Sequence, residues 1–224
     1  MNEKIRIAVD GPGGAGKSTI AKLLAAKLNI DYIDTGAMYR AIGYKAVKEN
    51  IDVENDQALN DMMNATEIDF SEGNIILDGE IVNDVIRTPE MSKMASIVST
   101  KSVVREKLVL IQRNIAEGKS VIMDGRDIGT NVLKDAELKI FMTASSEERA
   151  QRRYKELFEK GQKITFEEVH EDIKQRDYSD THRKLNPLKA ADDAVMLNTD
   201  GLGIEQVVDA ILKEVEKHGD FKTI

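Results

Sequence analysis

The chain contains no cysteine, which excludes disulfides, cysteine-held zinc and thiol catalysis. Its three prolines, at positions 12, 89 and 187, interrupt no strong helical pattern. No apolar run reaches the length of a membrane span. The first residues show no basic stretch followed by an apolar one and pass almost at once into a strand pattern, so a cytoplasmic protein is expected. Three scattered histidines, at 170, 182 and 218, offer no obvious general base. No Asn-Lys pair occurs, which removes the Asn-Lys-x-Asp guanine signature of a GTPase switch. Positive charge is in deficit: 32 Lys and Arg face 40 Asp and Glu, for a net charge of −8. That balance argues against a protein that coats nucleic acid. A polyanionic ligand would have to be met by local positive charge.

What remains is a chain of 224 residues, 41% hydrophobic and 32% charged. This describes one soluble, well-packed domain with room for inserted lobes. Its strongest signal is Gly11-Pro12-Gly13-Gly14-Ala15-Gly16-Lys17-Ser18. The run follows a short apolar strand pattern and leads, through Thr19, into a helical pattern over 19–28. It is the G-x-x-x-x-G-K-[ST] phosphate loop in its strand–loop–helix setting. Glycines let the backbone wrap a phosphate without Cβ clashes, and the helix start adds N–H groups and its positive end. Lys17 can reach the outer phosphates, and the Ser18 hydroxyl can hold Mg²⁺. The chain is thus expected to bind a nucleoside triphosphate, residues 11 to 19 forming the cup.

Strand patterns occur at about 4–10, 31–34, 119–124, 138–143 and 194–197, with helical patterns near 16–28, 37–49, 101–116, 147–160, 166–180 and 203–217. This alternation predicts an α/β fold, a parallel sheet of five strands with helices on both faces and ligands at the strands' C-terminal edge. Residues 66–87 break the alternation with short strand patterns and the turn signals Gly73-Asn74 and Asp78-Gly79. They read as a small antiparallel lobe; an elaborated loop without function is the plainer alternative.

Arg149, Arg152 and Arg153 fall at i, i+3 and i+4, on one face of a helix with Ser145 or Ser146 as its N-cap. Arg176, Asp180 and Arg183 follow at i, i+4 and i+7. Two such helices around Gly161 resemble a phosphate lid, although a solvated, salt-bridged surface with Glu147, Glu148, Glu156 and Glu159 fits the spacing too. Asp124 ends an apolar strand pattern, where phosphate-loop enzymes bring a carboxylate towards Mg²⁺. A small-molecule kinase and a nucleotide-dependent switch both remain open at this point. Size, insert and arginines favour the kinase, since a lid keeps water from taking the phosphoryl group.

Further motifs carry a specific resemblance. Asp34-Thr35-Gly36-Ala37-Met38-Tyr39-Arg40, Ile86-Arg87-Thr88, Asp124-Gly125-Arg126-Asp127-Ile128-Gly129-Thr130, Ser145-Ser146-Glu147-Glu148-Arg149-Ala150 and Ile173-Lys174-Gln175-Arg176-Asp177 are similar to those of the bacterial cytidylate kinases. The likeness runs through essentially the whole chain. Departures are small: Thr35 stands where many relatives have Ser, and Ser18-Thr19 where some have Gly-Thr.

The resemblance implies a single phosphate-loop kinase domain. Its core would span about 1–34, 106–148 and 166–224, with a nucleoside-monophosphate lobe at about 35–105 and a helical lid at about 149–165. It implies transfer from MgATP to CMP or dCMP by a chain that also reads, from its acidic single domain, as a monomer. Arg40, Arg126 and Arg176 would hold the acceptor phosphate, with Thr35, Asp180 and Arg183 near the ribose. Arg149, Arg152 and Arg153 would approach the ATP phosphates. Ser18 would hold Mg²⁺, with Asp34 and Asp124 as candidates for its water shell. Lys17, Arg126, Arg149, Arg152, Arg153 and Arg176 form the catalytic set. Ser96, Arg105 and Asp127 would choose the base. Their chemistry suits cytosine, whose N4 amino group donates and whose N3 and O2 accept. On residues alone, Ser96 could be an ordinary helix-surface residue and Arg105 a partner of Glu106 or Asp84. Asn198-Thr199-Asp200-Gly201 could lie beside the donor base or simply form a turn before the last helix.

Overall fold

The computed structural model describes residues 4–71 and 73–217, so Glu72 of the expected turn and His218 lie outside the described residues. The elements run, in chain order, β1 (Arg6–Asp10), α1 (Lys17–Leu28), β2 (Asp31–Asp34), α2 (Thr35–Lys48), α3 (Asp56–Asn64), β3 (Ile68–Ser71), β4 (Asn74–Leu77) and β5 (Glu80–Ile81). There follow α4 (Pro89–Val98), α5 (Ser102–Gly118), β6 (Val121–Gly125), a π-helical turn (Ile128–Val132), β7 (Leu138–Thr143), α6 (Ser146–Glu159), α7 (Phe166–His182), β8 (Val195–Asn198) and α8 (Ile204–Lys217).

The main sheet is parallel and five-stranded, in the order β2-β6-β1-β7-β8, with helices on both sides. The central strand β1 is flanked in parallel register by β6 and β7. It is enclosed on all sides, which is why it reads as the unbroken apolar run Ile7, Ala8, Val9, each fully buried. Helices α1 and α8 press Leu24, Ile20, Val207 and Ile211 onto this strand and its neighbours to form the core. Parallel strands align their C-terminal ends, so Asp10 and Asp124 finish at the same edge. Among the described residues no helix is long and apolar enough to cross a membrane.

The chain forms two compact units. One contains residues up to 32 together with those from 119 onwards, and the other is Ile33–Gly118. The second holds helices α2 to α5 and an antiparallel sheet β3-β4-β5. Strand β3 alternates buried and exposed positions, as a half-buried strand should. The hairpin from β4 to β5 turns at Asp78-Gly79, and Asp78 also accepts from the Glu67 N–H and the Lys45 ammonium.

Helices α3 and α4 stand where the sequence reading gave no element. Both are short, but each carries a start signal: Asn55 caps Ala58 N, and Thr88 caps Met91 N with Pro89 in the first turn. Elsewhere the caps follow expectation. Ser145 is the N-cap of α6, accepting from Glu148 N, and Thr165 with Glu168 closes a capping box at the start of α7. Helices α6 and α7 pack through Ala150, Leu157 and Val169. Helix α7 ends at His182, so Arg183 is its C-cap with extended ψ rather than a further helical residue.

Candidate active site

The loop between β1 and α1 is held against the sheet. A Cβ on Gly11 would lie 2.1 Å from the Met142 carbonyl oxygen, so only glycine lets the chain leave β1 on this path. Gly16, with φ +87°, is the N-cap of α1, and no side chain caps that helix. Its first N–H groups therefore remain directed at whatever occupies the loop. Ala15 is buried, and Thr19 is exposed on the first turn of α1. The Lys17 ammonium is buried and donates to the Pro12 carbonyl at 2.7 Å. Burial pushes its pKa down, and Arg126 and Arg176 add to this against the pull of Asp124 and Asp10.

Ser18 Oγ donates to Asp124 Oδ2 at 2.7 Å, and the Tyr32 hydroxyl donates to Asp124 Oδ1 at 2.8 Å. The pair presents two hard oxygen ligands side by side. Among the described residues no group of three or more His, Cys, Asp or Glu could enclose a metal. Mg²⁺ needs no such cage, because it is commonly held by one or two protein oxygens plus phosphates and waters. Ser18 and Asp124 fit it. Asp34, the other candidate, is already engaged: it caps α2 through Ala37 N and pairs with Arg40 Nη2 at 2.9 Å.

Arginines surround the loop. A Cβ on Gly13 would lie 3.3 Å from Arg126 Nη2 and 3.4 Å from Arg176 Nε. Arg126 is held by Asp180 Oδ2 at 2.7 Å. Burial alone would raise the Asp180 carboxyl, but Arg126, with Arg176 and Arg183, outweighs it and holds the group below the usual carboxylate range.

The three arginines expected to act together on the ATP phosphates are placed differently. Arg149 is buried. Its Nη1 donates to the Gly13 carbonyl at 2.9 Å, its Nε to the Ala144 carbonyl at 3.0 Å, and Nη1 and Nη2 clamp Asp177. Arg152 is exposed, with Nη1 3.8 Å from a Cβ on Gly16. Arg153 pairs with Glu156 at 3.1 Å on an exposed face.

Arg183, past the end of α7, donates to Asp127 Oδ1 at 2.9 Å, and Asn131 Nδ2 to Asp127 Oδ2 at 3.0 Å. The buried Asp10 carboxylate accepts from Ile128 N at 2.8 Å and Gly129 N at 2.7 Å. Burial pushes this carboxyl up to about 6, and Asp127 adds to the rise against the two N–H groups and Lys17. Asp10, Tyr32 and Asn131 escaped the sequence reading, and Asp177 enters it only as the last residue of the Ile173–Asp177 motif, with no role given. Asp10 carried a signal of its own, as the acidic end of an apolar strand. The Asn198-Thr199-Asp200-Gly201 loop is tied down: Thr199 bonds the Thr143 carbonyl, and the Asp200 carboxylate accepts from Ser145 N at 2.9 Å.

In the unit of residues 33–118, Thr35 is the buried first residue of α2. Arg40 carries a buried Nε with no hydrogen-bond partner among the described residues. Arg105, on α5, is only 3% exposed, donates from Nη1 to the Ser99 carbonyl at 3.2 Å, and lies 5.8 Å over the Tyr39 ring. Burial of this depth is unusual for an arginine on a helix. Ser96 is half-buried on α4 and donates to the Ser92 carbonyl at 3.3 Å.

Comparison with known proteins bears on this arrangement. A family model described as cytidylate kinase matches residues 7–217. A cytidylate kinase of Bacillus cereus is 49% identical over 219 residues, covering 96% of this chain and 97% of that protein. One of Clostridium perfringens is 49% identical over 217 residues, covering 97% and 100%. Among solved structures, an uncharacterized protein from Eubacterium ventriosum superposes with a TM-score of 0.53 at 15% identity, covering 96% of this chain and 99% of that one. A shikimate kinase from Bacteroides thetaiotaomicron superposes with a TM-score of 0.50 at 17% identity, covering 95% and 98%. At these identities the structural likeness speaks for the fold alone.

Proposed function

The chain belongs to the cytidylate kinase family and is an ATP-dependent nucleoside monophosphate kinase, and from that premise we propose that it phosphorylates CMP or dCMP from MgATP as a cytoplasmic monomer. An oxygen of the acceptor phosphate forms a bond to the γ-phosphorus as the bond from that phosphorus to the β–γ bridging oxygen breaks. ADP leaves, and CDP or dCDP is formed. The acceptor phosphate has a second pKa of about 6 and is mostly dianionic at pH 7, so no general base is required. The obstacle is repulsion between two polyanions.

The single observation that carries this reading is the clustering of Lys17, Arg126, Arg149 and Arg176 around the loop, with Asp180 and Asp177 holding two of the arginines in place. Positioned cations of this kind stabilise the charge of a transferring phosphoryl group. Residues 11 to 19 hold the ATP phosphates. Mg²⁺ would be held by Ser18, with Asp124 a candidate for its water shell, and would supply further charge neutralisation on the phosphate oxygens. Arg40, Arg126 and Arg176 hold the acceptor phosphate, with Thr35, Asp180 and Arg183 at its ribose. Ser96, Arg105 and Asp127 read its base. Residues 35–105 serve as the acceptor lobe and 149–165 as the lid.

The test is ADP release with MgATP and each of CMP, dCMP, UMP, AMP, GMP and dTMP. Turnover confined to CMP and dCMP, with UMP far poorer, is the expected result. Comparable efficiency with UMP would remove the base site, and ADP release independent of any acceptor would remove the kinase reading.

A further inference from the structure

Asp127 stands at the N-cap position of the π-helical turn over Ile128–Val132. An aspartate so placed ordinarily turns its carboxylate onto the first free N–H groups of its own turn. Asp127 makes no such bond. The N–H groups of Ile128 and Gly129 donate instead to the two oxygens of Asp10, which reaches them from the end of β1, 118 and 119 positions away in sequence. The fit is close: a Cβ on Gly129 would lie 3.4 Å from Asp10 Oδ2 and 3.1 Å from Lys139 Cδ. The Asp127 carboxylate is turned to Arg183 and Asn131.

We propose that Asp10 is a specificity-positioning residue, which caps the turn in place of Asp127 and so keeps the Asp127 carboxylate committed to the acceptor base. The inference rests on the base-site reading above. Its physical core is a competition. The two N–H groups are buried with Asp10, and each would cost about 1–3 kcal/mol if left unpaired. Without the Asp10 carboxylate, the acceptor best placed by sequence is Asp127 itself, which stands at the N-cap position with ψ 30° and would take the extended ψ of Thr88 and Thr165 to cap the turn. Turning onto Gly129 N would take it away from Arg183. A site that chooses cytosine over uracil by the direction of one carboxylate would then lose that choice. The Lys17 hydrogen bond to the Pro12 carbonyl does not involve Asp10, whose carboxylate is bonded to Ile128 N and Gly129 N and acts on Lys17 through its charge alone.

Asp10→Asn retains the shape and offers one acceptor for two donors. Asp10→Ser retains only a shorter hydroxyl. Both are compared with Asp127→Asn and with the Asp10→Asn, Asp127→Asn double variant, reading kcat/KM for CMP and UMP, KM for ATP, and folding by circular dichroism. The CMP-to-UMP ratio is expected to fall about 10- to 100-fold in each Asp10 variant, to fall no further in the double variant than in Asp127→Asn, and KM for ATP to stay unchanged. An unaltered ratio in the Asp10 variants beside a lowered one in Asp127→Asn overturns the proposal. So does an equal loss on CMP and UMP, or failure of both Asp10 variants to fold, which would make Asp10 a structural cap alone. An unaltered ratio in Asp127→Asn overturns the base-site reading itself.

Discussion

Two buried cations beside the same loop should respond in opposite ways to removal. Among the described residues Lys17 has one hydrogen-bond acceptor, the Pro12 carbonyl, and Arg126 and Arg176 lie close enough to repel it. Losing that bond costs about 1.5–3 kcal/mol for a charged donor. Burying an ammonium costs several kcal/mol, and the downward push on its pKa shows that its surroundings do not fully offset this. Lys17→Met keeps the apolar stem and removes the penalty, so its stability should equal or exceed that of the parent. Its kcat should fall on the order of 10²–10³-fold or more, the scale for one lost donor to developing charge. Arg149 is the reverse case. It satisfies two carbonyls and clamps Asp177 with two nitrogens. Breaking a buried pair by removing one partner costs about 3–5 kcal/mol. At about 2–4 °C per kcal/mol for a chain of this size, Arg149→Met should melt about 6–20 °C lower. Thermal melts by circular dichroism, beside CMP-dependent ADP release, decide the matter. A fall in Tm for Lys17→Met matching that of Arg149→Met would refute the reasoning and make Lys17 a structural residue.

Two further outcomes follow from named groups. Arg105→Met should raise KM for CMP about 10- to 100-fold, the worth of one charged hydrogen bond, and leave KM for ATP in place; equal rises in both would move Arg105 to the phosphates. Asp10 has a folded pKa of about 6 against an ordinary 3.8, so the folded state holds this proton more tightly than the unfolded chain. Its stabilising contribution is full below about pH 4 and is lost as pH rises through about 6, an amplitude of about 3 kcal/mol. Denaturant titrations of the parent relative to Asp10→Asn should converge or cross by that amount between pH 4 and pH 7, and parallel curves would sink the assignment.

The phosphate loop, the five parallel strands and the arginine-bearing helices were legible because each rests on local spacing. Lys17, Ser18 and the acidic end of β6 are recognisable from a handful of consecutive residues. Helix α4 was legible in principle, since Thr88-Pro89-Glu90 is a helix start, yet its polar and apolar residues give a weaker period than the longer helices. The π-helical turn was not legible at all. Its cap comes from β1, and no local window over 126–132 contains it. The division of labour among Arg149, Arg152 and Arg153 was equally hidden. Helical spacing puts all three near one face, and only the tertiary contact with Gly13 and Asp177 separates the embedded one from the two at the surface. Arg183 shows the limit from the other side: its i+7 spacing shares a face with Arg176 only if the helix runs that far, and the helix, though longer than the pattern over 166–180, ends at His182, while the extended C-cap still delivers the guanidinium to Asp127.

The central place of β1 carries a consequence for synthesis. Its lateral partners are β6 and β7, and the Ile5 N–H finds Ser120 Oγ across 115 positions. At about 5–20 residues per second on the ribosome, that interval lasts roughly 6–23 s. Throughout it, the strand that will be most deeply enclosed has no neighbouring strand to pair with, while residues 33–118, which form a compact unit of their own, emerge as one continuous stretch. A strand that waits this long for both lateral neighbours needs shielding by the ribosome surface or a chaperone throughout the interval.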